Sequence, residues 1–309
     1  MSNKQNISKK GIFFVLLTAL ISGFAIFINK KFVSFTDPYI FTSFKNTFVG
    51  LFLLSLIISL NKVSKLKKLS IKNWLSLILI GLIGGGIPFL LYFKGLSLTT
   101  AMQASFIHKN LFLLVALLAP ILLSEKVNKN FLIAGLFILI GNALLLTNAF
   151  PLSLSTGNLL VLAAVFFWAM ENIISKKVLK SLDADLVSWG RMFFGSIFLI
   201  MFLGVTGRLG QISVLTSRQV LEILASSFIL LSYVITWYRG LKLLPVTIAT
   251  SILVLGSPVT AILTMLSGKA LGLDQLIGIG FILISSFVII EAASSEIKSS
   301  KAWVISKRS

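Results

Sequence analysis

The sequence predicts an all-α integral membrane protein, with ten transmembrane helices arranged as two inverted five-helix repeats. Three observations predict it. Of the 309 residues, 57% are hydrophobic and only 12% are charged, whereas soluble domains are nearer half apolar and about a quarter charged. The apolar residues form blocks of about 20, the length that crosses a ~30 Å hydrocarbon core, and no polar join between them is long enough for a soluble domain. The chain also repeats itself.

The blocks place spans at 11–28, 38–60, 74–93, 99–123, 131–148, 157–175, 186–205, 219–238, 246–267 and 275–292. The first follows Lys9 and Lys10 as a signal peptide would. Asn29-Lys30-Lys31 comes next without a small-residue cleavage site, so it reads as a retained helix. Span five is short and carries Gly135, Gly141 and Asn142, and span eight starts with Glu222 near its end.

Net charge +19 raises the question of nucleic acid, but the basic residues flank spans. If the N-terminus is cytoplasmic, nineteen Lys and Arg lie on inner segments and six on outer joins, leaving Lys45, Lys109 and Arg191 inside spans. The positive-inside rule then puts both termini in the cytoplasm of a cell (inner) membrane, with lipid as partner and no nucleic acid. The tail, with Lys298, Lys301, Lys307 and Arg308, reads as solvated or in contact with headgroups. With no cysteine and one histidine, disulfides, thiolate sites and multi-histidine metal centres are excluded. No cofactor is expected.

A shift of 146 residues lays the first half on the second without a gap from Gly11 to Phe48. Gly11 meets Gly157, Lys30-Lys31 meets Lys176-Lys177, Asp37 meets Asp183, Lys45 meets Arg191 and Phe48 meets Phe194. Further on, a shift of 145 lays Tyr92-Phe93-Lys94-Gly95-Leu96 over Trp237-Tyr238-Arg239-Gly240-Leu241, and Ala104-Ser105 over Ala249-Thr250. Five spans per half is odd, so the halves cross in opposite senses, a transporter architecture with a site between them. The expected division is 1–150, 151–293 and a basic tail 294–309.

These marks resemble the drug/metabolite transporter superfamily, and its EamA family in particular. They include the basic residues of spans two and seven, the Lys94-Gly95-Leu96 and Arg239-Gly240-Leu241 endings, Pro258 and Ser124-Glu125-Lys126. The second half departs from the pattern by lacking a glutamate near Ala270–Leu271. Span four lacks an early proline and has Lys109 and Asn110 there, with Pro120 later. The resemblance implies transport of a metabolite without naming it, and places spans five and ten at the periphery.

Ala101–Leu123 carries the sharpest signal, because His108, Lys109 and Asn110 interrupt an apolar run. Lys109 lies about ten residues in, roughly 15 Å at ~1.5 Å per residue, near the membrane midplane. A lysine there costs roughly 2.5–3.5 kcal/mol on insertion scales and marks a functional site by default. It reads as a cation for an anionic substrate group, against an internal ion pair or a packing lysine. His108 is rotated about 100° from it and reads as a hydrogen-bonded packing residue or a proton relay. Ser105, one turn back, and the Gln103/Asn110 stripe either line a cavity or join helices.

Lys45 and Arg191 read equally as gating residues or substrate contacts. Glu171 is placed to pair with Arg191 structurally, or to couple protons. Trp168 and Tyr233 are candidates for a cavity wall, whereas Trp237 and Tyr238, near a span end, fit an interfacial belt. Gly81, Gly84, Gly85 and Gly86 with Pro88 either allow close packing or hinge span three. The expected function is secondary transport of a small anionic or zwitterionic metabolite, amino-acid-like or phosphate/nucleotide-like, by a monomer or homodimer using alternating access. The alternative is a proton-coupled exporter of amphipathic or cationic compounds. A membrane-embedded enzyme would need a Ser105–Lys109 dyad, and no catalytic site is expected.

Overall fold

A computed structural model describes residues 9–125, 129–146 and 155–306; Lys126, Lys307, Arg308 and the expected boundary at 150/151 lie outside the described residues. Helices α1 (Lys9–Phe32) and α2 (Pro38–Ser59) lead through short α3 (Val63–Lys67) to α4 (Ile71–Ile80), a π-helical turn (Gly81–Gly86) and α5 (Ile87–Leu98). Next come α6 (Ala101–Lys109), α7 (Leu111–Leu123) and α8 (Lys129–Leu144), closing the first half. The second half holds α9 (Thr156–Val178), α10 (Ala184–Val205), a 3-10 turn (Leu209–Val214), α11 (Ser217–Leu243), α12 (Val246–Leu253), α13 (Gly256–Leu266) and α14 (Leu273–Ser306). Among the described residues there is no strand. Among the described residues, nine helical stretches are long and apolar enough to cross a membrane, and Phe131–Leu144 is a shorter tenth. Spans three and eight run longer than the hydropathy blocks suggested, over Ile71–Leu98 and Ser217–Leu243. Exposed apolar side chains such as Leu75, Ile121, Val205 and Phe287 face outward, as a lipid-contacting surface requires.

The halves interlock reciprocally. α5 packs along α9, and α1 packs along α11. A Cβ on Gly95 would sit 2.8 Å from Gly157 O and from Val161 Cγ2, and one on Gly157 would meet Leu98 at 2.9 Å. The same contact recurs between the repeat-equivalent residues: Gly240 faces Gly11 and Val15, and Gly11 faces Leu243 and Leu244 at 2.9 Å. Bare backbone at these four positions lets the helices touch. The lysines follow the same symmetry. Lys30 Nζ donates to Leu96 O and Ser97 O at 3.0 and 3.1 Å, and Lys176 Nζ donates to Leu241 O and Leu244 O at 2.7 and 2.5 Å. Each covers the carbonyls at the C-terminal end of the third span of its own half, where positive charge is favoured.

Span four is not one helix. Asn110 (ψ 0°) interrupts it between α6 and α7. Its repeat equivalent, Leu255, lies in the break between α12 and α13. Both halves therefore carry a discontinuous helix at the same place, although only the second has a proline beside the break. Spans five and ten (α8 and α14) pack on each other, with Gly141 and Gly278 each against the other's carbonyl.

The two ends of the bundle are closed by ion pairs. At one end Asp183 accepts from Lys65 Nζ at 2.7 Å, and Asp185 accepts from Lys62 and Arg239. The Lys65 hydrogen bond holds the Asp183 carboxyl below its ordinary range. At the other end Asp37 both caps α2 and pairs with Arg208 at 2.8 Å. The α12 N-terminus is capped from the opposite half: Glu125 accepts from Val246 N at 2.8 Å, Thr247 N at 3.1 Å and Thr247 Oγ1 at 2.8 Å. The equivalent N-terminus, that of α6, needs no such partner. Thr100 and Gln103 form its own capping box, which accounts for the chain lacking a glutamate near Ala270. Removing Glu125 leaves those donors buried, at about 1–3 kcal/mol. Glu125→Ala is expected to lower the thermal unfolding midpoint in detergent by several degrees, whereas Gln103→Ala, at a partly exposed cap, is expected to lower it less.

Candidate functional site

Between the halves lies a cavity lined by both of them. α1 gives it Ser22, Ala25 and Asn29; α2, Lys45; α5, Phe89, Tyr92 and Phe93; and α6, His108. From the second half come Trp168, Glu171 and Asn172 of α9, Arg191 of α10, and Tyr233 and Trp237 of α11. Neither α8 nor α14 reaches it.

Lys45 is 1% exposed. Its Nζ sits 3.5 Å from the Phe93 ring centroid, with Phe41 and Phe89 at 5.4 and 5.3 Å. Among the described residues no carboxylate pairs with it. The ring faces replace part of the hydration that burial removed. Arg191 is held differently. Its Nε donates to Gly84 O at 3.1 Å, and its Nη1 lies 3.9 Å from Glu171 Oε2. Glu171 Oε1 accepts from Tyr238 OH and Ser175 Oγ, and its Oε2 accepts no hydrogen bond.

The π turn explains this arrangement. It releases carbonyls from the regular ladder, and side chains from other helices take them up. Gly84 O receives Trp168 Nε1 at 2.9 Å as well as Arg191, and Gly85 O receives Asn46 Nδ2 at 2.9 Å. Here the glycines are closely packed: a Cβ on Gly85 would run into the Arg191 carbonyl, and one on Gly86 would meet Phe198 at 2.7 Å. Pro88 follows in the first turn of α5.

His108 and Lys109 stand the opposite way round from the sequence expectation. His108 is on the cavity wall, edge-on to Trp168 (centroids 5.2 Å apart) and Tyr92 (5.7 Å), with Nδ1 buried and unpartnered. Lys109 is not on the wall. Its Nζ donates to Ser22 Oγ at 2.5 Å, and its end would touch a Cβ on Gly256 at 2.8 Å. The ammonium thus lies beside Gly256, the first residue of α13 after the α12/α13 break. The one-residue step of a helix decides which of the two neighbours faces the cavity.

Ser105 donates to Thr260 at 3.4 Å, and Asn142 donates to Asn110 at 3.4 Å. With Gln103 in a capping box, these three polar residues join or end helices and are absent from the wall. Ser105 and Lys109 engage different partners, so no dyad forms. Trp237 also departs from expectation. Because α11 continues to Leu243, Trp237 is buried on the wall and donates to Asn172 Oδ1 at 3.0 Å, instead of sitting in an interfacial belt. Sequence reasoning missed Ser22, Asn29, Phe89, Tyr92, Phe93 and Asn172. For Asn29 and Phe93 a usable signal existed, since both lie in segments that align between the halves. Among the described residues no group of His, Cys, Asp and Glu could hold a metal ion.

A family model described as the EamA-like transporter family matches residues 9–147 and again 155–291. The chain belongs to the EamA-like transporter family. An uncharacterized transporter from Methanothermobacter thermautotrophicus is 31% identical over 140 residues, 44% of this chain and 41% of that protein. The alignment therefore spans less than half of this relative. A solved crystal structure superposes with a TM-score of 0.72 over 93% of this chain and 99% of that one, at 18% identity, so the two share a fold. This EamA protein is an all-α, multi-pass membrane protein of the drug/metabolite transporter superfamily.

Close packing of the π turn against α10 makes a direct prediction. Overpacking costs typically 1–3 kcal/mol, so Gly85→Ala is expected to lower the unfolding midpoint by several degrees. Gly280→Ala, within α14 and with nothing within 4 Å of the added methyl, is expected not to lower it.

Proposed function

We propose that this transporter moves a small anionic or zwitterionic metabolite by alternating access, with the solute seated in the cavity between the halves. What carries the reading is the charge of the wall: two buried cations, Lys45 and Arg191, face one carboxylate, Glu171. A buried cation without an ion partner is costly and is kept where a ligand uses it. Lys45, Arg191, His108, Trp168 and Tyr233 would contact solute. Lys109, one layer behind Ser22, would add positive potential and hold the α12/α13 break. Gly84, Gly85, Gly86 and Pro88 would let span three change its packing on α10 as access alternates.

In this reading residues 1–150 and 151–293 are the two moving halves, followed by the basic tail 294–309. Both termini face the cytoplasm of a cell membrane, because the basic end of the bundle gathers the joins at 61–73, 176–183 and 239–245. Proton coupling is the second reading, favoured by Glu171 Oε2, which is buried and accepts no hydrogen bond.

Uptake of labelled amino acids, monocarboxylates and phosphate monoesters into proteoliposomes tests the main reading. A hydrogen bond to a charged group contributes about 1.5–3 kcal/mol, so Lys45→Gln is expected to reduce uptake of the accepted anion tenfold or more. Unchanged uptake of every anionic solute in both Lys45→Gln and Lys109→Gln would contradict the proposal.

A further inference from the structure

The internal repeat shows what Lys45 lacks. The 146-residue shift that maps Lys45 onto Arg191 maps Ala25 onto Glu171, within the stretch that aligns without a gap. Ala25 and Glu171 both line the cavity. In the second half the cation has its carboxylate: Arg191 Nη1 lies 3.9 Å from Glu171 Oε2. In the first half a methyl group stands where that carboxylate would be. The donors that hold the carboxylate have changed with it. Tyr238, whose hydroxyl donates to Glu171, corresponds to Phe93, which has no hydroxyl and instead presents its ring to Lys45 at 3.5 Å. Ser175, the other donor, corresponds to Asn29, whose Oδ1 is taken by Ser226 Oγ at 2.6 Å. The first half therefore lacks the acid and the two hydroxyls that hold it, while its base, Lys45, is buried on the cavity wall.

We propose that the acid group of the solute takes the place beside Lys45 and Ala25 that Glu171 takes beside Arg191. This deepens the anion reading of the cavity and rests on it. The solute class follows from the pattern in the second half: one cation there is matched by one carboxylate, so the acid group beside Lys45 is a carboxylate with one negative charge. Its non-acid part lies against Phe89, Tyr92 and Trp168, where the wall is aromatic. Ala25 is a specificity-determining residue, because its methyl leaves room for an incoming carboxylate, whereas a resident acid there would close the site to one.

Restoring the missing acid tests this. Ala25→Glu is expected to pair with Lys45 and to unfold a few degrees higher than Ala25→Gln, which has the same size without the charge. That difference is expected to vanish when both are built on Lys45→Met. In parallel, thermal unfolding of the wild-type protein is followed with sodium acetate, lactate or benzoate against sodium chloride at matched ionic strength. At least one carboxylate is expected to raise the midpoint by mass action, and Ala25→Glu and Lys45→Met are each expected to abolish the rise. The proposal is overturned if the Glu–Gln difference at position 25 is absent with Lys45 present or persists without it. It is equally overturned if a carboxylate response survives Lys45→Met; the transporter reading would then stand with its anion bound elsewhere. Stabilisation by tetraethylammonium chloride and by none of the carboxylates would remove the anion reading itself. Should Ala25→Glu fail to fold, the Lys45→Met ligand response decides alone.

Discussion

The contact on which the rest of the molecule depends is the reciprocal seating of each half's third span on the other half's first. Gly95 lies on Gly157 and Val161; Gly240 lies on Gly11 and Val15. Two identical contacts of this kind exist only if the halves are related by a two-fold operation. For five-span halves that operation lies in the membrane plane and inverts one half against the other. Everything at the centre follows. α1, α2, α5 and α6 from one half, and α9, α10 and α11 from the other, are drawn around a common space, while α8 and α14 are left to pair outside it.

A bilayer cannot solvate what that space contains, so each charge within the spans has to be met by protein. The molecule does this in three ways. Arg191 is met by a carbonyl freed by the π turn and by Glu171. Lys109 is met by the Ser22 hydroxyl. Lys45 is met only by aromatic faces. The first two are satisfied internally; the third is the one that a solute would complete. Under the proposed function, symmetry of the backbone combined with asymmetry of the chemistry is what would turn the repeat into a binding site.

Much of this was legible in the sequence. Hydropathy blocks marked the spans, and matched charged pairs marked the repeat. Both are written in single residues with large energetic consequences, a charge in lipid or a glycine at a crossing. The cavity wall was less legible. His108 and Lys109 are neighbours in an apolar run, and only the rotation of α6 decides which one faces inward. The α12/α13 break at Val254–Leu255 is marked by Gly256 and Pro258 just after it, whereas the α6/α7 break at Asn110 has neither residue beside it. Trp237 was misplaced because hydropathy ended span eight early, while the helix itself runs on through Arg239 and Lys242, whose side chains reach Asp185 and Leu182 O. The polar groups Asn29 and Asn172 look unremarkable until the other half is laid beside them.

Opposite threading of equivalent residues is the claim to which the cavity, the paired breaks and the missing acid all return. The chain contains no cysteine, so single cysteines can be placed at Lys68 and at its repeat equivalent Val214, both exposed at the ends of the bundle. Labelling by a membrane-impermeant maleimide in intact cells should reach position 214 and spare position 68 until the membrane is permeabilised. Equal labelling of the two from one side would mean that the halves run parallel, and the cavity as described could not exist.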